Sequence, residues 1–433
     1  MSALAWTAVV VFTVAYVLIA SEKIHRVKVA LGGAVVMLLI GATDAHHALF
    51  SEESGIDWNV IVLLIGMMLI VAVLRRTGVF EYIAIWSVKR TRGRPFLVLV
   101  VLIVVTAVAS AALDNVTTVL LIAPVTFLVC ERLAVPVVPY LIAEAMASNI
   151  GGTATLVGDP PNIIIASRSG LSYLDFLIHL APIIVLVMVV FIALSRVMFR
   201  GSFDADPERV RGIMELDEKE AIHNPRLLVL GLVVLGFVTV AFALHTVLHM
   251  EPSVVAIVGG LVLLAFSRLD AEDVARDVEW PTLLFFAGLF IMVGALVNTG
   301  VIEQVANYAA DAASGRLATA SVGLLWGSAV LSGVVDNIPY VATMSPVVAE
   351  VVHAEGGGQQ ASALWWALAL GADLGGNATA VGASANVVII GLAERAGHRI
   401  GFWQFTRYGL LVTTVTLLVT TPYVILRYFV FGG

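Results

Sequence analysis

Two acidic breaks interrupt apolar sequence at matching places in the two halves of this chain. One is Asp114-Asn115, within SAALDNVTTVLLIAPV, and the other is Asp336-Asn337, 222 residues later, within LSGVVDNIPYVATMSPV. A carboxylate in apolar surroundings binds a cation or takes up a proton, because burial disfavours its ionised form. The repeated pair therefore predicts ion or proton binding, beyond the helix capping that a single aspartate would provide.

A second break follows each of the first two. These breaks read NIGGTATLVGDPPN, residues 149–162, and DLGGNATAVGASAN, residues 373–386. Paired glycines and the Pro160-Pro161 pair stop helices, and unwound backbone is tolerated at membrane depth only where it is buried in protein or lines a cavity. Side-chain oxygens at these breaks suit Na⁺ or a hydroxylated solute rather than a soft metal.

The predicted substrate- and ion-binding residues form two acidic tips and two half-sites. They are Asp114, Asn115, Thr117, Asp336 and Asn337 at the tips; Asn149, Thr153, Thr155, Asp159 and Asn162 in the first half-site; and Asp373, Asn377, Thr379, Ser384 and Asn386 in the second. Sodium is expected near Asn115, Asn149, Asn337 and Asn377. The half-sites are chemically unequal, because the position equivalent to Asp159 is Ala383.

The composition is that of a polytopic membrane protein. Of 433 residues, 60% are hydrophobic and 13% charged, with a mean hydropathy of +1.00, whereas soluble proteins carry roughly 25% charged residues. One cysteine, Cys130, excludes a disulfide framework and a thiolate metal cluster. The sequence contains no Walker loop, CxxC or HExxH motif and no evident nucleophile–base pair, so we predict no enzyme, no resident cofactor and no nucleic-acid partner.

The elements that must position these residues are apolar helices of bilayer length, which is about 20 residues. Ten crossings are predicted at 3–20, 27–42, 58–75, 138–170 (broken), 172–195, 226–248, 252–267, 280–298, 360–394 (broken) and 406–429. The runs 95–131 and 317–353 carry the acidic breaks and form either re-entrant hairpins or further crossings. The segments 79–94 and 301–315 are too polar to span and are predicted to be interfacial helices.

Basic residues predict the orientation. With five crossings per half, 21 of the 24 lysines and arginines fall on one side, which is therefore cytoplasmic, and both termini face outward. An odd number of crossings per half makes the two repeats inverted. The expected fold is an all-α membrane protein with two inverted repeats of five crossings each, re-entrant hairpins and broken helices. Residues 1–197 form the first repeat, 198–225 a cytoplasmic linker and 226–433 the second repeat.

The motifs LDNVTTVLLIAPV and SNIGGTATLVGDPPNIIIAS resemble the ArsB/NhaD-type ion transporter superfamily, and most closely its P-protein and arsenical-pump-like branch. The resemblance covers nearly the whole chain. It implies inverted repeats, two re-entrant hairpins, two broken helices and a homodimer. The superfamily's divalent-anion symporters are expected to have Ser-Asn-Thr where this chain has Asp114-Asn115 and Asp336-Asn337. That departure favours a proton- or cation-handling site over a carboxylate-binding one.

The expected function is secondary active transport in the cell membrane. The cargo is a small inorganic ion or oxyacid of the arsenite or antimonite efflux type, coupled to H⁺ or Na⁺ by alternating access, with hairpins and broken helices moving as a unit. A Na⁺/H⁺ antiporter and an ion channel are the alternatives. The expected partners are the lipid bilayer, the solute and a second copy of the chain, and a separate soluble ATPase is left open. Lysines and arginines fall only near the ends of the predicted crossings, so the site is expected to lack a fixed positive counter-charge.

Overall fold

The computed structural model describes residues 2–21, 23–51, 54–203, 221–313 and 315–431. Within these ranges the chain is helical and has no β-strand, which confirms the all-α prediction. Most of the predicted linker 198–225 lies outside the described residues.

Helices of the first half are numbered in chain order. They are α1 (Ala3–Ser21), α2 (Arg26–Leu39), α3 (Ala45–Phe50), α4 (Trp58–Arg75), α5 (Val79–Arg90), α6 (Pro95–Ala112), α7 (Asn115–Leu133), α8 (Val137–Gly152), α9 (Pro160–Ser169), α10 (Tyr173–His179) and α11 (Ala181–Met198). We call α6 with α7 hairpin 1, and α8 with α9 broken helix 1.

Helices of the second half repeat the same order. They are α12 (Pro225–Ala243), α13 (His245–Leu248), α14 (Pro252–Ser267), α15 (Ala271–Arg276), α16 (Trp280–Asn298), α17 (Val301–Ala313), α18 (Leu317–Val335), α19 (Asn337–Ala354), α20 (Gly358–Gly375), α21 (Ser384–Arg395) and α22 (Phe402–Ile425). We call α18 with α19 hairpin 2, and α20 with α21 broken helix 2.

Proline explains many of the helix starts. Pro95, Pro160, Pro225 and Pro252 each occupy the first turn of a helix, where the missing N–H has no intrahelical partner to lose. Both predicted broken crossings are indeed broken, between α8 and α9 and between α20 and α21. The predicted crossing 172–195 is instead divided into α10 and α11, next to a proline in the first turn of α11.

Equivalent helices of the two repeats run in opposite directions. Just past the end of α4, Arg76 forms an ion pair of 2.8 Å with Asp277, which lies just before the start of α16. At the other end, a Cβ atom on Gly294, late in α16, would lie 1.7 Å from the backbone oxygen of Ser54, which lies just before α4. Because α4 and α16 are equivalent by sequence and antiparallel in space, the repeats are inverted.

Packing between the repeats is reciprocal. Helix α2 packs on α16 as its equivalent α14 packs on α4, and α7 packs on α21 as α19 packs on α9. The two hairpins and two broken helices thus interlock, and we call them the core unit. Helices α1, α2, α4, α14 and α16 pack beside it, and we call them the scaffold.

Glycines permit the close approach of hairpin and broken helix within each repeat. A Cβ on Gly151 would lie 2.3 Å from the backbone oxygen of Ala107, and one on the equivalent Gly375 would lie 2.4 Å from Cα of Ala329. Close packing is therefore one role of these glycines.

Gly375→Ala is expected to destabilise the protein by about 1–3 kcal/mol, because the added methyl group overpacks a backbone contact. The melting temperature in detergent measures this. Gly327→Ala is the matched control, since a Cβ there meets nothing within 4 Å. Equal melting temperatures for the two variants would contradict the packing role.

Eight helices of the described chain are long and apolar enough to cross a bilayer: α4, α6, α7, α11, α12, α16, α18 and the stretch Phe402–Val430, which begins with α22. Three of them belong to the hairpins, so length alone does not separate re-entrant hairpins from full crossings. The re-entrant form of the hairpins stays a prediction.

The predicted orientation is tested by cysteine labelling in a Cys130→Ser background. A cysteine replacing Ser169 is expected to react with impermeant reagent from the outside, and one replacing Ser202 only from the inside, because basic residues concentrate on the cytoplasmic side. Reaction of both cysteines from one side would contradict the orientation.

Candidate functional site

The two acidic tips are buried helix caps. The Asp114 carboxylate accepts a hydrogen bond from the Thr117 backbone N–H at 2.8 Å and from Thr117 Oγ1 at 2.5 Å. The Asp336 carboxylate accepts one from the Ile338 backbone N–H at 3.1 Å. Asp336 also has φ 97°, a conformation that non-glycine residues rarely adopt. Capping is therefore one role of each aspartate, and both tips still place a carboxylate among buried residues.

The tips meet at a third carboxylate, that of Asp159 in the first break. Asn115 Nδ2 donates to Asp159 Oδ2 at 3.0 Å, and Asn337 Nδ2 lies 3.3 and 3.4 Å from the two carboxylate oxygens. Asp159 is fully buried. One carboxylate therefore accepts hydrogen bonds from both halves of the chain, as the convergence of inverted repeats requires.

Asn149 joins the two breaks. Its Oδ1 accepts from Asn115 at 3.1 Å, and its Nδ2 donates to Asn377 Oδ1 at 2.9 Å and to Asn386 Oδ1 at 3.1 Å. We call Asn115, Asn149, Asp159, Asn337, Asn377 and Asn386 the central cluster. The predicted half-sites thus form one hydrogen-bonded group.

Other predicted residues hold the breaks in shape. Asn162 Nδ2 donates to the Thr155 carbonyl at 2.9 Å, and Asn386 Nδ2 donates to the Thr379 carbonyl at 2.9 Å. Thr153 Oγ1 donates to the Asn149 carbonyl within its own helix.

Two equivalent threonines also tie each break to its hairpin. Thr155 Oγ1 donates to the Ala111 carbonyl at 2.6 Å, and Thr379 Oγ1 donates to the Gly333 carbonyl at 2.5 Å. The hydroxyl groups of Thr153, Thr155 and Thr379 thus donate to the backbone, while each hydroxyl oxygen keeps a lone pair available, and their predicted binding of solute or ion stays a prediction.

Several buried oxygen atoms around the central cluster have no hydrogen-bond donor. They are Oδ1 of Asn115, Asn162 and Asn337. The Asp373 carboxylate has no donor at full hydrogen-bond geometry, but the side chains of Thr153 and Asn162 lie beside it. Of the four amides near which sodium was expected, Asn115 and Asn337 have a free oxygen, whereas the oxygens of Asn149 and Asn377 accept hydrogen bonds. Buried acceptors without donors are costly, so this group is suited to a cation, a proton or a hydroxylated solute.

The expectation that the site lacks a positive counter-charge is wrong. Arg26, the first residue of α2, lies 3.4 Å from Asp336 Oδ2 and donates to Ser384 Oγ at 2.5 Å. Ser384 Oγ in turn donates to Asp336 Oδ2 at 2.9 Å. Hairpin 2 therefore carries an arginine partner, whereas the described contacts of Asp114 include no basic residue.

The length of α2 is the signal that could have revealed Arg26. The helix has 14 residues, which gives about 21 Å at 1.5 Å per residue, less than the roughly 30 Å hydrocarbon core. A crossing that short must begin or end inside the membrane, so a residue at its first turn can reach the midplane.

Glu279 is a second residue that the sequence reasoning missed. It lies just before α16, where its Oε2 accepts a hydrogen bond from Thr282 Oγ1 at 3.2 Å. Burial and the nearby Asp114 carboxylate raise the pKa of Glu279 to about 7. Its charge therefore depends on the charge of Asp114 at the hairpin 1 tip, whereas Arg26 acts in the opposite direction.

Inverted repeats whose broken helices meet at a buried polar cluster are the architecture of secondary transporters. Comparison with known proteins agrees. The family model described as citrate transporter, CitMHS, matches residues 16–371. The chain is 55% identical to the uncharacterized transporter Rv2685 of Mycobacterium tuberculosis over 98% of this chain and 99% of the relative. The chain therefore belongs to the CitMHS citrate transporter family, within the ArsB/NhaD-type superfamily, and is a multi-pass membrane transporter rather than an enzyme.

Other similar proteins support the superfamily resemblance. The human P protein is 34% identical over 96% of this chain, which spans 59% of the length of P protein. The crystal structure of the Alcanivorax borkumensis YdaH transporter superposes with a TM-score of 0.57 at 17% identity, over 91% of this chain and 88% of that one. The latter shows a shared fold alone.

Proposed function

We propose that the protein is a secondary active transporter that carries a small oxyacid or inorganic ion across the cell membrane, coupled to Na⁺ or H⁺ by alternating access. Arsenite and antimonite are the first candidate solutes. The observation that carries the proposal is the cluster of buried oxygens on Asn115, Asn162, Asn337 and Asp373, in which the three amide oxygens have no donor. A bound cation, or a proton on Asp373, satisfies acceptors that the protein itself leaves free.

Charge balance supports a coupling cation. Four buried aspartates, Asp114, Asp159, Asp336 and Asp373, surround the site. Against them stand Arg26 and the N-termini of α7, α9, α19 and α21, each worth about half a positive charge. The carboxyl ends of α6, α8, α18 and α20 lie at the same breaks and carry about half a negative charge each, which cancels the helix amino ends. One arginine therefore faces four carboxylates, and cations or bound protons would offset the excess negative charge.

The same helix ends accommodate oxygen atoms of a solute. Backbone N–H groups at helix N-termini favour anionic or hydroxylated ligands. Neutral arsenite, As(OH)₃, would donate its hydroxyl protons to the free oxygens and accept from the helix ends. Citrate is a further candidate solute because the matching family model is described as a citrate transporter. The positive charge of Arg26 at the site makes a carboxylate substrate more plausible than the sequence indicated.

A Na⁺/H⁺ antiporter is the second candidate, because the free oxygens and buried carboxylates require no organic or oxyacid solute. An ion channel is the alternative from another class. An antiporter would exchange Na⁺ for H⁺ through the same site. A channel would conduct ions without coupling them to a second solute.

Alternating access is proposed to move the core unit as a whole against the scaffold. The interlocking of both hairpins with both broken helices supports this, because a contiguous packed body moves together more readily than it deforms. A second copy of the chain is proposed to contact the scaffold, as the superfamily resemblance implies, and crosslinking in native membranes tests this.

Counterflow in proteoliposomes tests the proposal. Vesicles with a trapped pH dye are challenged with Na⁺, Li⁺, arsenite, antimonite, chloride, citrate and dicarboxylates. We expect solute-dependent counterflow that requires Na⁺ or moves protons. Cation exchange without any solute would favour the antiporter, and conductive flux without coupling would favour the channel.

A further inference from the structure

We infer that Arg26 is a built-in counter-ion for hairpin 2, which occupies Asp336 until the coupling cation displaces it. The inference assigns a role in ion coupling to a residue outside the core unit. Its second half, the competition with a cation, rests on the proposed function, whereas the contact between Arg26 and the core unit does not.

The geometry is a triad that spans three elements. Arg26 of α2 contacts Asp336 at the hairpin 2 tip and Ser384 at the start of α21, and Ser384 also donates to Asp336. The Arg26 side chain is 30% exposed and that of Asp336 10% exposed. Partial burial reduces screening by water and salt, so this pair is stronger than an exposed surface pair.

Arg26 belongs to the scaffold while it holds the core unit. Its guanidinium lies 5.2 Å from the centre of the Phe285 ring in α16, a cation–π contact that fixes it to the scaffold. A second scaffold contact to hairpin 2 joins Tyr16 OH and Thr343 Oγ1 at 3.4 Å. A motion of the core unit past the scaffold must therefore break the Arg26–Asp336 pair.

The first repeat supplies this arginine and the second does not. In α2, a Cβ on Gly33 would meet Met292, and in α14 a Cβ on Gly259 would approach Ile70, the residue equivalent to Met292. That alignment, at an offset of 226, places Pro252 where α2 has Arg26. Among the described residues, the contacts of Asp336 thus include a tethered arginine, whereas those of Asp114 include no basic residue.

The consequence is competition. A carboxylate held by Arg26 has little attraction left for a second cation, and an Asp336 that leaves Arg26 without a replacement would be an unpaired buried charge. The core unit can therefore leave the scaffold at low cost only when a cation or proton has taken the place of Arg26 at Asp336. Arg26 would thereby suppress movement of the empty carrier.

Arg26→Gln tests both halves, with Lys28→Gln as the matched control. Lys28 is exposed, lies two residues along the same helix and also loses one positive charge. Electron–electron distance measurements use spin labels at Lys23→Cys and Ala354→Cys in a Cys130→Ser background. Ion affinity is read, with Glu279→Gln present in every variant, as the Na⁺ concentration and separately the pH at half-maximal thermal stabilisation of the purified protein. Glu279 is removed because Arg26 also acts on its carboxyl group.

We expect Arg26→Gln to add a second population to the distance distribution. We also expect it to lower the half-maximal Na⁺ concentration, or to raise the midpoint pH, by roughly tenfold in ion concentration, which corresponds to the loss of one charged hydrogen bond. Lys28→Gln should change neither. Arg26→Lys should restore the distance in part, and Ser384→Ala, which removes one contact of the triad, should give a smaller shift if Arg26→Gln fails to fold.

A distance distribution identical to that of the Lys28→Gln control overturns the tie to the scaffold, and unchanged ion midpoints overturn the competition. Neither readout requires transport. If counterflow fails while the distances change, the proposed function falls and the role of Arg26 stands. If counterflow succeeds while the distances stay constant, the proposed function stands and the role of Arg26 falls.

Discussion

Asp159→Asn is expected to abolish most transport, with counterflow reduced to about 1% of the wild-type rate. Asp159 accepts from Asn115 at one carboxylate oxygen and lies within hydrogen-bond distance of Asn337 at both. An amide has one oxygen, so its NH₂ group would face a donor of one hairpin tip. Losing a charged hydrogen bond costs about 1.5–3 kcal/mol, and the donor–donor contact adds to that. Initial counterflow rates measure the effect.

The matched control for Asp159→Asn is Ala383→Ser at the equivalent position of the second break. Ala383 is fully buried but contributes no polar atom, so this variant should keep most of its activity. Melting temperatures of both variants separate loss of transport from loss of fold. Equal tolerance of the two substitutions would show that the duplicated breaks serve packing alone.

Asp114→Asn is expected to lower transport at least about tenfold and to remove its dependence on Na⁺ or pH, because it deletes the acidic tip whose described contacts include no basic residue. Asp336→Asn should also impair transport, but it leaves Arg26 without its carboxylate, so the ion dependence should change rather than disappear. Asparagine caps a helix as well as aspartate does, so both proteins should fold. Counterflow as a function of pH and Na⁺ measures both variants.

Asp44→Asn controls for the loss of a capping carboxylate. Asp44 caps α3 by accepting from the His47 backbone N–H at 2.9 Å and lies exposed, apart from the core unit. Its replacement should leave transport unchanged. Wild-type transport with normal ion dependence in both the Asp114 and Asp336 variants would reduce these two residues to helix caps.

The repeats and breaks were predictable because short-range sequence patterns determine them. Glycine pairs, Pro160-Pro161 and the two Asp-Asn pairs mark helix ends at short range, and the predicted bounds of α4, α14 and α16 coincide with the observed ones. The meeting of the two half-sites also followed, because inverted repeats carry equivalent breaks to one axis.

Contacts between distant residues were not predictable in the same way. Arg26 and Asp336 are 310 residues apart, and charge counting assigned Arg26 to a cytoplasmic loop. The threonines show another limit, since Thr155 and Thr379 have the right chemistry for a ligand and also donate to hairpin carbonyls, which the sequence did not indicate. Residue type indicates what a side chain can bond, whereas the direction in which it points is set by packing.

The backbone of Asp336, at φ 97°, places conformational strain at the tip of hairpin 2. The equivalent Asp114 sits relaxed at φ −70°, and holding a non-glycine residue in such a conformation costs of order 1–3 kcal/mol. Relaxation of this residue would release that energy, so the tip of hairpin 2 is expected to rearrange more readily than the tip of hairpin 1 when the core unit moves.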